Sequence, residues 1–143
     1  WCIFGCCAQQ SKSIIYRAES LVNIFGLKST QKSGAAAEDL AADYLLGHKL
    51  KIVGRNYRCR HGEIDLIAKD GATLVFVEVR LRSPGSFGGA AASITPAKQQ
   101  KILATARHYL SGKAGLPACR FDVLLLDSLS ADKIEWIKNA FGE

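Results

Sequence analysis

The stretch 62–82, GEIDLIAKDGATLVFVEVRLR, constrains the fold of this 143-residue chain more than any other. Two apolar runs flank Asp70-Gly71, a pair that strongly favours a two-residue type I′ hairpin turn. The stretch therefore predicts two antiparallel strands. Asp65 and Glu78 lie inside these runs, where a carboxylate is costly to bury unless a partner or a metal compensates its charge.

The predicted turn also decides which side chains share a face of the hairpin. With this two-residue loop, Asp65 faces Phe76, and Glu78 is its diagonal neighbour at roughly 7–8 Å between Cα atoms. Arg80 follows on the same face, because side chains alternate with a period of two. Two carboxylates at this separation can share a hard divalent cation. A loop one residue longer would place Asp65 and Glu78 on opposite faces of the hairpin.

These residues carry a resemblance to a known family. Asp65, followed by Glu78-Val79-Arg80, is similar to the D…(D/E)-x-K signature of the PD-(D/E)xK nuclease superfamily. The blocks GEIDLI and FVEV resemble the YraN-like bacterial family, which is similar to archaeal Holliday-junction resolvases. The resemblance runs from about Gly34 to Phe141. It implies an α/β fold, a restriction-endonuclease-like core with a mixed central sheet flanked by helices, and metal-dependent hydrolysis of branched or structured DNA.

The resemblance also implies a weakly bound metal, Mg²⁺ or Mn²⁺. Its ligands would be Asp65, Glu78, the backbone carbonyl of Val79 and, from the first helix, Glu38. Glu63 lies on the Asp65 face and is a second-choice ligand, or else a partner of a nearby arginine.

Two basic residues complete the implied catalytic set. Lys98 matches the basic residue that the family places on a later helix near its active site. Arg80 stands where the family normally has lysine. A guanidinium stays charged in proteins, so Arg80 could stabilise charge on a phosphate but could not act as a general base.

The charge balance favours a polyanionic partner. Nineteen Lys and Arg against thirteen Asp and Glu give a net charge of +6, which suits phosphate contacts without sequence preference. The candidate nucleic-acid contacts are Arg55, Arg58, Arg60, Arg82, Lys98 and Lys101. A solvated basic surface is the competing interpretation. DNA is the expected partner, and a homodimer is a possible assembly.

Several protein classes are disfavoured. No stretch approaches the ~18 uninterrupted apolar residues of a membrane span, and the first residues lack a basic n-region. The five cysteines form no C-x-x-C pair, so neither a zinc site nor a disulfide framework is indicated, and a cytoplasmic location is expected. Cys59 and His61 are interpreted as an incidental pair.

We expect one domain over residues 33–143, preceded by an extension over 1–32 that is helical at Ile14–Phe25. The predicted element order of the domain is α-β-β-β-α-β-β. The first helix is predicted from Gly34 to about Leu46, with Ser33 as N-cap and Gly47 at C′. Strand Leu50–Arg58, with a bend or bulge at Gly54, leads to the hairpin and then to a glycine-rich loop at Ser83–Ala91. The second helix is N-capped by Thr95 and ended by Gly112, and strands Arg120–Leu126 and Asp132–Ile137 follow. Asp122 is expected to be neutralised by Arg120 or a backbone amide.

Three functions stay open from the sequence. The first is a metal-dependent endonuclease. The second is a DNA-binding module of nuclease fold, in which Arg80 marks lost chemistry. The third is a protein-interaction scaffold that uses the N-terminal extension.

Overall fold

The computed structural model describes residues 29–82 and 94–142. Its elements, in chain order, are α1 (Ser29–Gly47), β1 (Lys51–Cys59), β2 (Gly62–Asp70), β3 (Thr73–Leu81), α2 (Pro96–Leu110), β4 (Cys119–Leu126) and β5 (Ile134–Phe141). The order α-β-β-β-α-β-β is the predicted one. The expected helix at Ile14–Phe25 and the loop Ser83–Ala91 lie outside the described residues. Within the described ranges, no helix is long and apolar enough to cross a membrane.

The five strands form one sheet in the order β1-β2-β3-β4-β5. β3 pairs with β4 in parallel, and the other neighbouring pairs are antiparallel. Parallel neighbours need a crossover connection, which contains α2. The fold is therefore α/β with a mixed sheet, as predicted, and it is consistent with a resolvase-like core.

α1 and α2 cover opposite faces of the sheet. Val75 and Val77 pack in the cluster that holds the alanine-rich side of α1. Their neighbours Leu74 and Phe76 pack in the cluster that holds the apolar side of α2. Because side chains alternate along a strand, Glu78 belongs to the α2 face.

The predicted hairpin is present, but its turn lies one position later than expected. Asp70 pairs with Thr73, so the two-residue loop is Gly71-Ala72. Gly71 alone in this loop has a positive φ, 59°, which fits a type II′ turn rather than the type I′ turn predicted. Each partner along the hairpin shifts by two residues, which preserves the parity that brings Asp65 and Glu78 to one face.

The ends of α1 differ from the prediction. Ser33 lies inside the helix rather than at its N-cap. At the other end Lys49, not Gly47, adopts the left-handed conformation, with φ 67°. The Leu50 N–H donates to the Leu45 carbonyl at 3.1 Å. This is the long hydrogen bond of a Schellman motif, so Lys49 occupies C′.

Other local predictions are confirmed within small shifts. The β1–β2 register is irregular between Ile52 and Gly54, where the bulge was predicted. The Thr95 hydroxyl accepts the Lys98 N–H at 3.3 Å as the N-cap of α2. β5 ends at Phe141 rather than at Ile137. A single 3₁₀ turn precedes β5.

Asp122 on β4 is fully buried, and its charge is compensated as expected. The Arg120 Nε donates to Oδ1 at 2.8 Å, and the backbone N–H of Asn139 donates to the same oxygen at 2.9 Å. The Trp136 indole donates to Oδ2 at 3.0 Å. This carboxylate therefore ties β4 to β5 and plays a structural part.

Candidate metal centre and basic cleft

The candidate site lies where β2 and β3 stop pairing. Their ladder ends at the Leu66–Val77 pair, and Asp65 is the next residue on β2. Its Oδ2 accepts the backbone N–H of Val79 at 2.8 Å. The Asp65 carboxylate thus takes the place of a backbone carbonyl as the acceptor for the Val79 N–H. This hydrogen bond fixes the Asp65 side chain to β3.

Glu78, on β3, is almost completely buried, with 3% of its surface exposed. Its Oε1 lies 3.2 Å from the Nζ of Lys98 on α2. Its Oε2 is buried and meets no hydrogen-bond donor within the described ranges. A buried carboxylate oxygen without a donor is costly, so a cation or an ordered water is the expected neighbour of Oε2.

The surroundings of the two acids favour their neutral forms. Burial, followed by the negative charge of Asp65, raises the pKa of Glu78 to about 7, and the nearby Lys98 ammonium opposes the rise. Burial also raises the pKa of Asp65, against the hydrogen bond from Val79. Acids perturbed by burial and by each other cluster at functional sites, although structural networks also produce them.

Glu38 reaches toward this site from α1 without joining the two acids. Its Oε2 accepts a hydrogen bond from the Asn56 Nδ2 at 2.9 Å, and its charge contributes to the raised pKa of Asp65. No three His, Cys, Asp or Glu side chains in residues 29–82 and 94–142 are grouped to hold a metal.

Asn56, the hydrogen-bond partner of Glu38, was not identified from the sequence. Asn56 has a φ of 50°, in the left-handed region that asparagine tolerates better than most residues. The residue type was therefore the one sequence signal for this backbone conformation.

A basic cleft of about 610 Å³ opens on the Lys98 side of the site. Its lining residues are Arg58, Cys59, Arg60, His61, Gly62, Glu63, Lys98 and Lys101. Four of the six predicted nucleic-acid contacts are therefore brought together here. Glu63 is the one acid in the lining, and its Oε2 lies 3.1 Å from the Nε of Arg58. The cleft keeps an excess of positive charge beside Glu78.

The other two predicted contacts lie elsewhere. Arg55 forms an ion pair with Asp39 on α1. Arg82 bridges Asp127 and Glu135, at 3.2 and 2.9 Å. Neither arginine lines the cleft. Arg80 is exposed near the end of β3, and its charge opposes the rise in the pKa of Glu78.

Gly62 lets the β1–β2 turn approach α2 closely. Its φ is 151°, and a Cβ at this position would lie 3.3 Å from the Thr105 Oγ1 and 3.5 Å from the Lys101 Cβ. A side chain here would make a tight contact with Thr105, and the φ of Gly62 disfavours any side chain. The close approach of the turn to α2 therefore favours glycine at this position.

The sequence has relatives that it matches over almost their full length. Residues 37–126 match the uncharacterised protein family UPF0102. A UPF0102 protein of Nitrosomonas europaea is 53% identical over 117 residues, which cover 82% of this chain and 99% of the relative. One of Methylobacillus flagellatus is 57% identical over 109 residues, 76% of this chain and 96% of the relative. The chain therefore belongs to the UPF0102 family, the YraN-like family that its GEIDLI and FVEV blocks resemble.

Proposed function

We propose that this protein is a metal-dependent endonuclease that hydrolyses phosphodiester bonds in branched or otherwise structured DNA. The observation that chiefly supports the proposal is the buried Glu78, whose Oε2 lacks a donor in the described part of the chain. Asp65 lies across the hairpin from it, and a basic cleft adjoins it. The resemblance to resolvases supports DNA as the substrate.

The donor set fits a weakly held hard cation. Asp65, Glu78 and the carbonyl of Val79 would hold Mg²⁺ or Mn²⁺, with Glu38 acting through its charge or as a further ligand. Mg²⁺ commonly binds through one or two carboxylates plus waters and substrate phosphates, so a third clustered acid is not required. When bound, such a cation lowers the pKa of the attacking water and stabilises charge on the phosphate.

The chain's own cations would do the remaining work. Lys98 compensates the Glu78 charge and so favours the ionised carboxylate that a metal needs. Lys101 and Arg58 would hold phosphates in the cleft. Arg80 would stabilise charge that develops on the phosphate, because fixed cations act strongly where charge forms in the transition state.

A cleavage panel tests the proposal. Linear, flapped and four-way DNA are incubated with Mg²⁺ or Mn²⁺ and the wild type, Asp65→Asn or Asp43→Asn. Asp43 is an exposed acid on α1, so Asp43→Asn is a control for the same chemical change away from the site. We expect cleavage by wild type and Asp43→Asn, and loss of both cleavage and Mn²⁺ binding in Asp65→Asn. Equal cleavage by all three proteins would overturn the assignment.

Arg80→Lys separates two roles for a cation at this position. If Arg80 acts only through its charge, the substitution changes the rate modestly, which is the result we expect. A gain of ten-fold or more, equivalent to about 1.4 kcal/mol of barrier, would show instead that this position must accept a proton.

A second candidate function is DNA binding without hydrolysis. It is favoured by Arg80 in place of lysine and by the Lys98 ammonium, which already neutralises one oxygen of Glu78. DNA binding with no cleavage by wild type or Arg80→Lys, on every substrate of the panel, would select it.

A further inference from the structure

The β1–β2 turn places an imidazole in the wall of the basic cleft. His61 is exposed and lines the cleft together with Arg60. The Arg60 Nε lies 3.2 Å from the His61 Nε2.

A continuous series of rings connects His61 to the core. The centroid of His61 is 6.1 Å from that of His108, which is 6.2 Å from Tyr57. Tyr57 is 5.0 Å from Tyr109, and Tyr109 is 5.9 Å from the buried Phe76. The Tyr57 hydroxyl also lies 2.7 Å from the His108 Nδ1. All of these spacings lie within the usual range of aromatic pairs, so His108 and the rings behind it support His61.

We propose that this cleft binds unpaired nucleotides, with a base stacked on the His61 ring and neighbouring phosphates on Arg60, Lys98 and Lys101. A basic groove with an aromatic ring in it is the arrangement that binds single strands, because every unpaired base offers a flat face for stacking. A base inside a duplex stacks on its neighbours and offers only its edge in the grooves. The inference rests on the proposed function and deepens it: the substrate carries a single-stranded segment next to the cleavage site.

The cleft also has a suitable size. Its volume of about 610 Å³ lies within the ~300–1,000 Å³ typical of small-molecule sites. Gly62 holds the turn, and so His61, close to α2. The stacking ring is therefore part of a formed site rather than of an isolated surface loop.

The test is fluorescence polarisation in EDTA, so that no cleavage occurs. The probes are a fluorescein-labelled oligothymidylate and a labelled blunt-ended duplex of two separate strands. We expect His61→Ala to weaken oligothymidylate binding by about ten-fold and to leave duplex binding within about two-fold. His61→Phe, which keeps a ring but loses Nε2, should restore the affinity for oligothymidylate. His48→Ala, a change at an exposed histidine on the other side of the sheet, is the matched control.

The outcomes separate this inference from the proposed function. Equal weakening of both probes in His61→Ala, no weakening, or failure of His61→Phe to restore binding would overturn the stacking role while leaving DNA binding intact. A wild type that binds neither probe at low salt would overturn the nuclease proposal as well. Melting temperatures of the variants check that each is folded.

Discussion

The sequence pattern alone singles out Asp65 and Glu78 as candidate site residues, because acids inside apolar strands are conspicuous. Their partners were harder to infer. Lys98 reaches Glu78 from α2, and Asn56 reaches Glu38 across 18 positions of sequence. Such contacts depend on the packing of each helix over the sheet, which periodicity does not specify. The resemblance indicated Lys98 as a residue near the site, but not the 3.2 Å contact.

The buried Glu78 makes the stability of the metal-free protein depend on pH. Its pKa is raised from the usual 4.5 to about 7 in the folded state, so the folded protein binds this proton more tightly than the unfolded chain. The resulting stabilisation is complete below about pH 4.5 and is lost as the pH rises through 7. Relative to Glu78→Gln, the wild type should lose roughly 2.5 kcal/mol of unfolding free energy between pH 5 and 8.

Urea unfolding of both proteins in EDTA measures this difference. The glutamine side chain at position 78 is neutral throughout the range, so the gap between the two curves reports the ionisation of Glu78 and its interaction with Asp65. Curves that stay parallel from pH 5 to 8 would show that Glu78 ionises at an ordinary pKa.

Gly62→Ala tests the contact between the β1–β2 turn and α2. The added Cβ meets Thr105 and Lys101, and the residue must keep a φ that disfavours side chains, so we expect a loss of about 1–3 kcal/mol. Thermal unfolding measures it. Gly34→Ala is the control, because a Cβ there meets nothing within 4 Å and should leave stability unchanged or slightly higher.

Among the elements, type, order and the start of α2 followed from the sequence, while the hairpin turn and the two ends of α1 did not. Asp-Gly is a good turn signal, yet the loop closed one residue later, with Gly71 supplying the positive φ. Gly47 is a good C′ residue, yet it is the last residue of α1 and Lys49 takes the C′ position, where Leu50 packs on the same core as Leu45. At the end of α1 the packing of Leu50 outweighed the local preference of glycine, whereas in the hairpin Gly71 keeps its positive φ.

Lys49 therefore offers a stabilising substitution. A left-handed conformation costs a side-chain-bearing residue about 1 kcal/mol relative to glycine, so Lys49→Gly should stabilise the protein by about that amount. His48→Gly, one residue earlier, should destabilise it, because His48 has no positive φ and its ring packs on Tyr44 and Trp136. Chemical denaturation of the two variants would give opposite signs. The same sign for both would contradict the assignment of Lys49 to C′.

Asp122 holds β4 and β5 together, and its removal should be costly. Asp122→Ala would leave the Trp136 indole and the Asn139 N–H without their acceptor, while Arg120 keeps its ion pair with Asp70, for a loss of about 2–4 kcal/mol. Asp127→Ala, which breaks an exposed ion pair with Arg82, should cost less than about 1 kcal/mol. Urea midpoints compare them. A small effect of Asp122→Ala would mean that its hydrogen bonds are readily replaced by water.

For the whole molecule, the net charge of +6 predicted a polyanionic partner but not where it would bind. Arg55 and Arg82 find acids 16 and 53 positions away in sequence, whereas Lys101 stays in the cleft. Only the tertiary structure distinguishes the cations that pair with acids elsewhere from those that lie together in the basic cleft.

Salt dependence tests that distinction. DNA affinity should fall steeply with salt, and Lys101→Ala should reduce the slope of log affinity against log salt by about one. Lys69→Ala makes the same charge change at the turn end of the hairpin, outside the basic cleft, and should leave the slope unchanged. Equal slopes for all three proteins would remove Lys101 from the phosphate contacts.

The hydrogen bond from Trp136 to Asp122 also gives the molecule an optical reporter. The chain has two tryptophans, so Trp1→Phe would leave Trp136 as its single indole fluorophore. Detachment of β5 would break this hydrogen bond and expose the partly buried indole to water. The emission would then move to longer wavelengths. In the chain, β4 and β5 follow the crossover through α2. Refolding followed at this wavelength would therefore show when the C-terminal half closes relative to the β1–β2–β3 meander.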